Sequence, residues 1–176
     1  MEIFTVGHSN RTIDQLVAIL ERAGVRAIAD VRRVPQSRYN PHFRRGQLGP
    51  ALAEHEIAYE WIEELGGRRE PSSATIHTAL EAPFAGYAEH LRTDEFERGI
   101  ARLQALAGET PTAIMCAEAK PAECHRRILS DWLVAQGHRV IHVLDLTRAI
   151  DHALSLEARL DGDHLVYDRG TQPSLL

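Results

Sequence analysis

Cys116 and Cys124 are the only two cysteines of the chain, and both lie in Cys116-Ala-Glu118-Ala-Lys120-Pro121-Ala-Glu123-Cys124-His125-Arg126-Arg127. Thiols beside a histidine and arginines suggest nucleophilic chemistry. Positive charge and the free N–H groups at a helix start lower a thiol pKa and favour the reactive thiolate. Either cysteine could be the nucleophile and the other the resolving thiol. His125 is then the natural general base, with Glu118 or Asp30 orienting it. The plainer reading is that both thiols fill buried space, as free cysteines often do. The same residues also admit a metal. Cys116, Cys124 and His125, with His8 or Glu118 as a fourth ligand, are donors of the type zinc or iron accepts. The spacing is not that of a Cys-x-x-Cys hairpin, and no arginine lies six positions after either cysteine as a phosphatase P-loop requires.

A second group follows an earlier apolar run. From Val31 to Ala53 there is no acidic residue, while Arg32, Arg33, Arg38, Arg44 and Arg45 all fall there. Arginine forks suit phosphate or carboxylate, and Tyr39 or Phe43 could stack on a base. Ser37, Arg32, Arg38 and Arg126 are the expected phosphate contacts, and Asp30 is a further acid–base candidate or a structural partner of Arg32 or Arg38. His8 and Ser9 end the first apolar stretch and complete the binding set. Tyr87 and His90 could face the same crevice, although a core or surface role suits them better. Trp61 and Trp132 are expected in the core. His138, His142, His152 and His164 form no grouping in the sequence.

The elements that would position these residues alternate between strand and helix. Glu2 to Val6 reads as a strand. Thr12 and Gln15 form a capping box for a helix bearing Ile13, Leu16, Ile19 and Leu20, closed by Gly24. Val25 to Ala29 is the next strand. Arg44 to Glu56 reads as a helix weakened by Gly49-Pro50, and Ile57 to Ile62 as a strand. Phe84 to Leu91 is helical, and Thr93 caps a helix carrying Phe96, Ile100, Leu103 and Leu106. Thr112 to Met115 is a strand, about Ala122 to Gln136 a helix placing Cys124 and His125 in its first turn, and Arg139 to Leu144 a strand. Leu146 to Leu156 reads as helical. The pattern predicts a single α/β domain over 1–160, with a mostly parallel twisted sheet and helices on both faces. The C-terminal tail, 161–176, allows a short strand at Leu165 to Tyr167 before a frayed end. Right-handed crossovers place the strand C-termini, and so the reactive segments, along one edge.

The bulk properties agree with one ordinary globular domain. The chain has 176 residues, 44% hydrophobic and 26% charged, enough for one core and short for two. No apolar run approaches the ~20 residues that span a bilayer, and no basic region precedes the first apolar stretch, so neither a membrane nor a secretory signal is expected. Two cysteines make no disulfide scaffold and point to a reducing cytoplasm. The net charge is −5, which argues against a broad basic surface. Lys120 is the only lysine against nineteen arginines, a bias that codon usage explains but the arginine clustering does not follow from.

Taken together, Thr5-Val-Gly7-His8-Ser9-Asn, Asp30-Val-Arg32 through Pro35-x-Ser37-Arg38 to Phe43, Leu65-Gly66-Gly67, Phe84-x-x-Tyr87 and Met115-Cys116-Ala-Glu118 through Cys124-His125-Arg126 resemble the bacterial family known as domain of unknown function 488. The resemblance runs from about Ile3 to Leu144, and its most specific part is the Cys-x-Glu…Cys-His-Arg pattern. It implies an α/β domain and the location of a site, and it implies no activity. The expectation from the residues is an enzyme acting on an anionic, phosphate-bearing substrate, most simply a nucleotide or nucleic acid. The alternatives are a nucleic-acid-binding or DNA-repair accessory module with structural cysteines, and a metal-binding or redox protein.

Overall fold

Residues 1–168 are described by the computed structural model; the frayed end expected beyond Tyr167 lies almost wholly outside the described residues. Strand β1 (Glu2–Gly7) leads to helix α1 (Ile13–Arg22), β2 (Ala27–Asp30), α2 (Arg45–Ala53) and β3 (Ala58–Trp61). Helices α3 (Ala82–His90) and α4 (Asp94–Glu109) precede β4 (Thr112–Cys116). Helix α5 (Arg126–Ala135) and strands β5 (Arg139–Val143), β6 (Ala149–Asp151), β7 (Ala158–Asp161) and β8 (His164–Tyr167) complete the chain. The six-stranded sheet runs β3-β2-β4-β1-β5-β6, parallel except for β6. Strands β7 and β8 form a separate antiparallel hairpin.

The sheet separates two apolar layers because successive side chains alternate faces. Val6, Ile28, Ala113 and Met115 pack with α1 and α2, whereas Ile3, Ala29 and Ile114 pack with α3, α4 and α5. The predicted capping box is present: the Thr12 side chain accepts from Gln15 N–H, and the Gln15 side chain from Thr12 N–H. Thr93 Oγ1 likewise accepts from Phe96 N–H at the start of α4.

Strand β1 connects leftward to β2 past β4, while β4 connects rightward to β5 past β1. The two connections run over opposite faces of the sheet, α1 on one and α5 on the other, and neighbouring strands so connected open a crevice at their carboxyl ends. Gly7 pairs with Cys116 at that point. No helix among the described residues is long and apolar enough to cross a membrane.

Two expectations change and a third is extended. The helix predicted over Leu146 to Leu156 is absent. The Asp145 side chain accepts from the N–H groups of Thr147 and Arg148, an Asx-type turn that sends β6 back antiparallel to β5. Its apolar residues Leu146, Ile150, Leu154 and Leu156 are all exposed, so no buried face exists to hold a helix. The helix expected from Ala122 begins instead at Arg126, after a 3₁₀ turn over Pro121–Glu123 and an extended Cys124. The short strand expected near Leu165 is present, and it docks: Ala79 N–H donates to the Tyr167 carbonyl, and Tyr167 is fully buried.

Candidate functional site

The carboxyl ends of β1, β2 and β4 open into a cleft of about 370 Å³. Cys116 ends β4 and Cys124 precedes α5, and their sulfurs lie with His125 Nδ1 within 4.8 Å of one another. Cys116 Sγ is 3.8 Å from His125 Nδ1. The other ring nitrogen, Nε2, lies 3.0 Å from the Val31 carbonyl. A carbonyl only accepts, so Nε2 carries the hydrogen, and the neutral ring presents a free lone pair at Nδ1 to the thiol. The backbone of β2's end, not Glu118 or Asp30, thus orients the histidine. Gly67 lies against its face, since a Cβ there would stand 2.6 Å from Nδ1, and the Tyr87 ring borders it at 4.9 Å. Burial pushes the His125 pKa below its ordinary value.

Arg126 is only 1% exposed. Its Nε donates to Cys124 Sγ at 3.1 Å, its Nη1 to Thr5 Oγ1 at 3.3 Å and its Nη2 to the Glu118 carbonyl. No carboxylate pairs with it among the described residues. A buried charge needs a counter-charge, and here the thiols are the groups in reach that can supply one. Of the two, Cys116 is the more acidic. A hydrogen bond from Cys124, the Arg126 charge and the N–H groups of Glu118 and Ala117 together outweigh desolvation and bring its pKa down to about 7. Cys124 stays a thiol, its pKa raised by burial and by the neighbouring Cys116. Gly7 makes the arrangement possible, because a Cβ there would collide with the Glu118 carbonyl that crosses the end of β1.

Asp30 lies beside this group but is fully committed. Its carboxylate receives Nε and Nη2 of Arg32 at 2.8 and 2.6 Å, the Arg32 N–H at 3.1 Å and the Tyr59 hydroxyl at 2.6 Å. Arg32 Nη1 lies 3.2 Å from His8 Nε2. His8 is neutral, its pKa lowered to about 4 by burial and then by Arg32, and its ring stacks on Phe43 at 4.2 Å. Asp30 and Arg32 therefore form a structural knot, with Tyr59 a member that the sequence did not reveal.

The remaining predicted residues divide. His8, Arg32, Ser37, Glu118, Cys116, Cys124 and His125 line the cleft. Arg38 is exposed and outside it. Ser9 turns toward Asn10 and holds a left-handed φ of 49°. Tyr87 is buried beneath, its hydroxyl donating to the Leu65 carbonyl. Trp61 and Trp132 are half-buried; the Trp61 indole N–H donates to the Arg32 carbonyl. Arg68 and Pro83 line the cleft without any signal in the sequence, beside Phe84 of the Phe84-x-x-Tyr87 pattern. Arg68 is exposed and left-handed, φ 59°, a conformation that a non-glycine residue seldom adopts and that recurs at functional sites.

Among the described residues Cys116, Cys124 and His125 also form the one candidate group of metal donors. Neither His8 nor Glu118 joins it, and the Arg126 guanidinium occupies the position against Cys124 where a cation would need to find negative charge.

Fold and site together define an α/β protein with a paired-thiol centre at the switch point of its sheet. The family model described as domain of unknown function DUF488 matches residues 12–133, and the chain belongs to that family. No curated protein and no solved structure matches it.

Proposed function

We propose that the protein is an enzyme that uses the Cys116 thiolate as a nucleophile on a small phosphate-bearing molecule, with a nucleotide as the substrate class. The observation that carries this reading is the buried Arg126, matched by thiols rather than by a carboxylate at the floor of an open cleft. Cys116 Sγ, already a thiolate, attacks phosphorus, the bond from phosphorus to the leaving oxygen breaks, and that oxygen takes a proton from water. A second water, deprotonated by His125 Nδ1, then breaks the sulfur–phosphorus bond, and phosphate and the thiolate are released. Cys124 stabilises the thiolate by its S–H. The cleft volume falls within the range of small-molecule sites. Arg33 and Arg68 at its rim suit a phosphate, and the Phe84 ring offers an apolar wall for a base.

The test has two arms. Alkylation of Cys116 by iodoacetamide is followed against pH by peptide mass, with and without a chelator; the expected midpoint is near 7 and indifferent to chelator. Mononucleotides and phosphate monoesters are then screened for turnover, which Cys116→Ser and His125→Ala should abolish. Full turnover in both variants defeats the proposal, and protection of the thiols that a chelator removes would favour a metal instead. The exposed loop tip supports a second reading as a nucleic-acid module, because Tyr39 is 96% exposed beside Arg38. Such binding falls steeply with salt, and salt-independent binding of a single-stranded oligonucleotide would exclude it.

A further inference from the structure

Behind the thiol site runs a line of buried polar groups that the proposed chemistry does not use. Asp131 is fully buried on α5, and its only ion pair among the described residues is with a histidine. Its Oδ1 lies 2.8 Å from His152 Nε2 and accepts from the Ser155 N–H at 2.8 Å, while its Oδ2 accepts from the Tyr167 hydroxyl at 2.9 Å. His152 Nδ1 lies 2.8 Å from His142 Nε2, and His142 Nδ1 lies 2.7 Å from Thr5 Oγ1. Thr5 Oγ1 in turn receives Arg126 Nη1.

One proton arrangement gives every atom of this line a partner. His152 donates Nε2–H to Asp131, so its neutral ring accepts at Nδ1 from His142 Nε2–H. His142 then accepts at Nδ1 from the Thr5 hydroxyl, whose oxygen accepts from Arg126. Every donor points from the guanidinium toward the carboxylate. With the histidines reversed, both Arg126 and His142 would donate to Thr5, and the Thr5 hydrogen would have no acceptor. Burial and the neighbouring His152 keep His142 neutral, with a pKa near 4.

Two buried charges of opposite sign are thereby joined through three neutral side chains. We infer that Asp131 is a positioning residue for the thiol centre: through His152, His142 and Thr5 it shares the charge of Arg126 with the thiol pair, whose Cys124 sulfur accepts from Arg126 Nε and lies within 4.8 Å of Cys116 Sγ, so chain and thiols compete for one guanidinium. The inference rests on the thiolate reading above. The charged or titratable groups facing Cys116 are Cys124, His125 and Arg126 from the loop and start of α5, His8 beyond β1, and Arg32 and Glu118 at the cleft. Those facing the chain are Asp131 and Arg126 on α5, His142 on β5, His152 after β6 and Tyr167 on β8, with Arg127 and Glu157 acting on Tyr167. Only the route through Thr5 connects the second set to the first by hydrogen bonds.

The experiment is the pH profile of Cys116 alkylation in the full chain for the wild type, Asp131→Asn and Thr5→Val. Asparagine keeps the acceptor oxygen and removes the charge; valine keeps the shape of threonine and breaks the line. Both changes leave Arg126 more fully to the thiols, so the midpoint falls, by about half a unit or about threefold more thiolate below pH 6. A midpoint that stays put or rises in the folded variants overturns the inference, and so does a fall in Asp131→Asn with Thr5→Val unmoved, because the charge of Asp131 then acts through space and not along the line. If Thr5→Val does not fold, the histidine tautomers decide. Histidine ¹⁵N–¹H correlation of the wild type reads the chain itself: hydrogen at Nε2 of both His142 and His152 is expected, and hydrogen at His142 Nδ1 overturns it. A wild-type midpoint at about 8.5 defeats the thiolate reading, whereas a low wild-type midpoint with unmoved variants defeats only the role of Asp131.

Discussion

Arg32 and Arg126 are both buried arginines at the same edge of one sheet, and they are balanced in opposite ways. Arg32 grips Asp30 with two parallel hydrogen bonds, and Tyr59 satisfies the same carboxylate. Nothing in that knot is left to react. Among the described residues no carboxylate contacts Arg126, which rests on sulfur. A carboxylate keeps its charge across the physiological range, whereas a thiol acquires charge only when its surroundings demand it. The first arginine therefore holds structure, and the second, on the function proposed above, holds a thiol in its reactive form.

The largest expected effect would break this contrast from the structural side. Asp30→Asn leaves a buried guanidinium without its counter-charge and should cost about 3–5 kcal/mol in denaturant unfolding. In whatever fraction stays folded, the Cys116 midpoint should be close to that of the wild type. A large shift there would mean that the two arginines act as one unit. Next comes the reactive side. Arg126→Met should raise the Cys116 midpoint from about 7 toward the ordinary thiol value of about 8.5, some 30-fold less thiolate at pH 6. An unmoved midpoint would assign the thiolate to Cys124 and the backbone alone.

Gly67→Ala tests position rather than charge. The added methyl must displace the His125 ring, and misplaced catalytic groups lose rate steeply. Cys116-dependent turnover at pH 7 should fall about tenfold, with about 1–3 kcal/mol of stability lost to overpacking. The smallest effect is the acid response of the carboxylate knot. His8 is held neutral down to about 4, below its ordinary 6.5, so between those values the unfolded chain binds more protons. Stability is then complete well above 6.5 and falls as pH is lowered toward 4, by about 1.4 kcal/mol at pH 5.5 from this ring. His8→Asn should flatten that part of the profile.

The sequence revealed the location of the site better than its wiring. Both cysteines, His125 and Arg126 were adjacent in the chain, and strand–helix alternation placed them at a strand end. The role of Asp30 followed only once Tyr59, from the neighbouring strand, was seen to share it. Leu146 to Leu156 misled because its apolar spacing suits a helix, while the Asp145 turn and the exposure of every large apolar side chain favour a hairpin. His142, His152 and Asp131 looked unrelated because α5, β5 and the residue after β6 converge only in three dimensions. A line of hydrogen bonds has no sequence period to betray it.

The place of β1 in the sheet has a consequence for how this protein comes into being. Strand β1, made before the other strands of this sheet, sits between β4 and β5, which are among the later ones. It must wait, with both edges unpaired, while most of the chain is made. Such distant pairings close slowly and leave strand edges open to wrong partners. The crevice between Gly7 and Cys116 cannot exist before that closure, so a nascent or truncated chain ending before β4 should carry no cleft. In the cell, newly made copies would depend on chaperones for as long as β1 stays open.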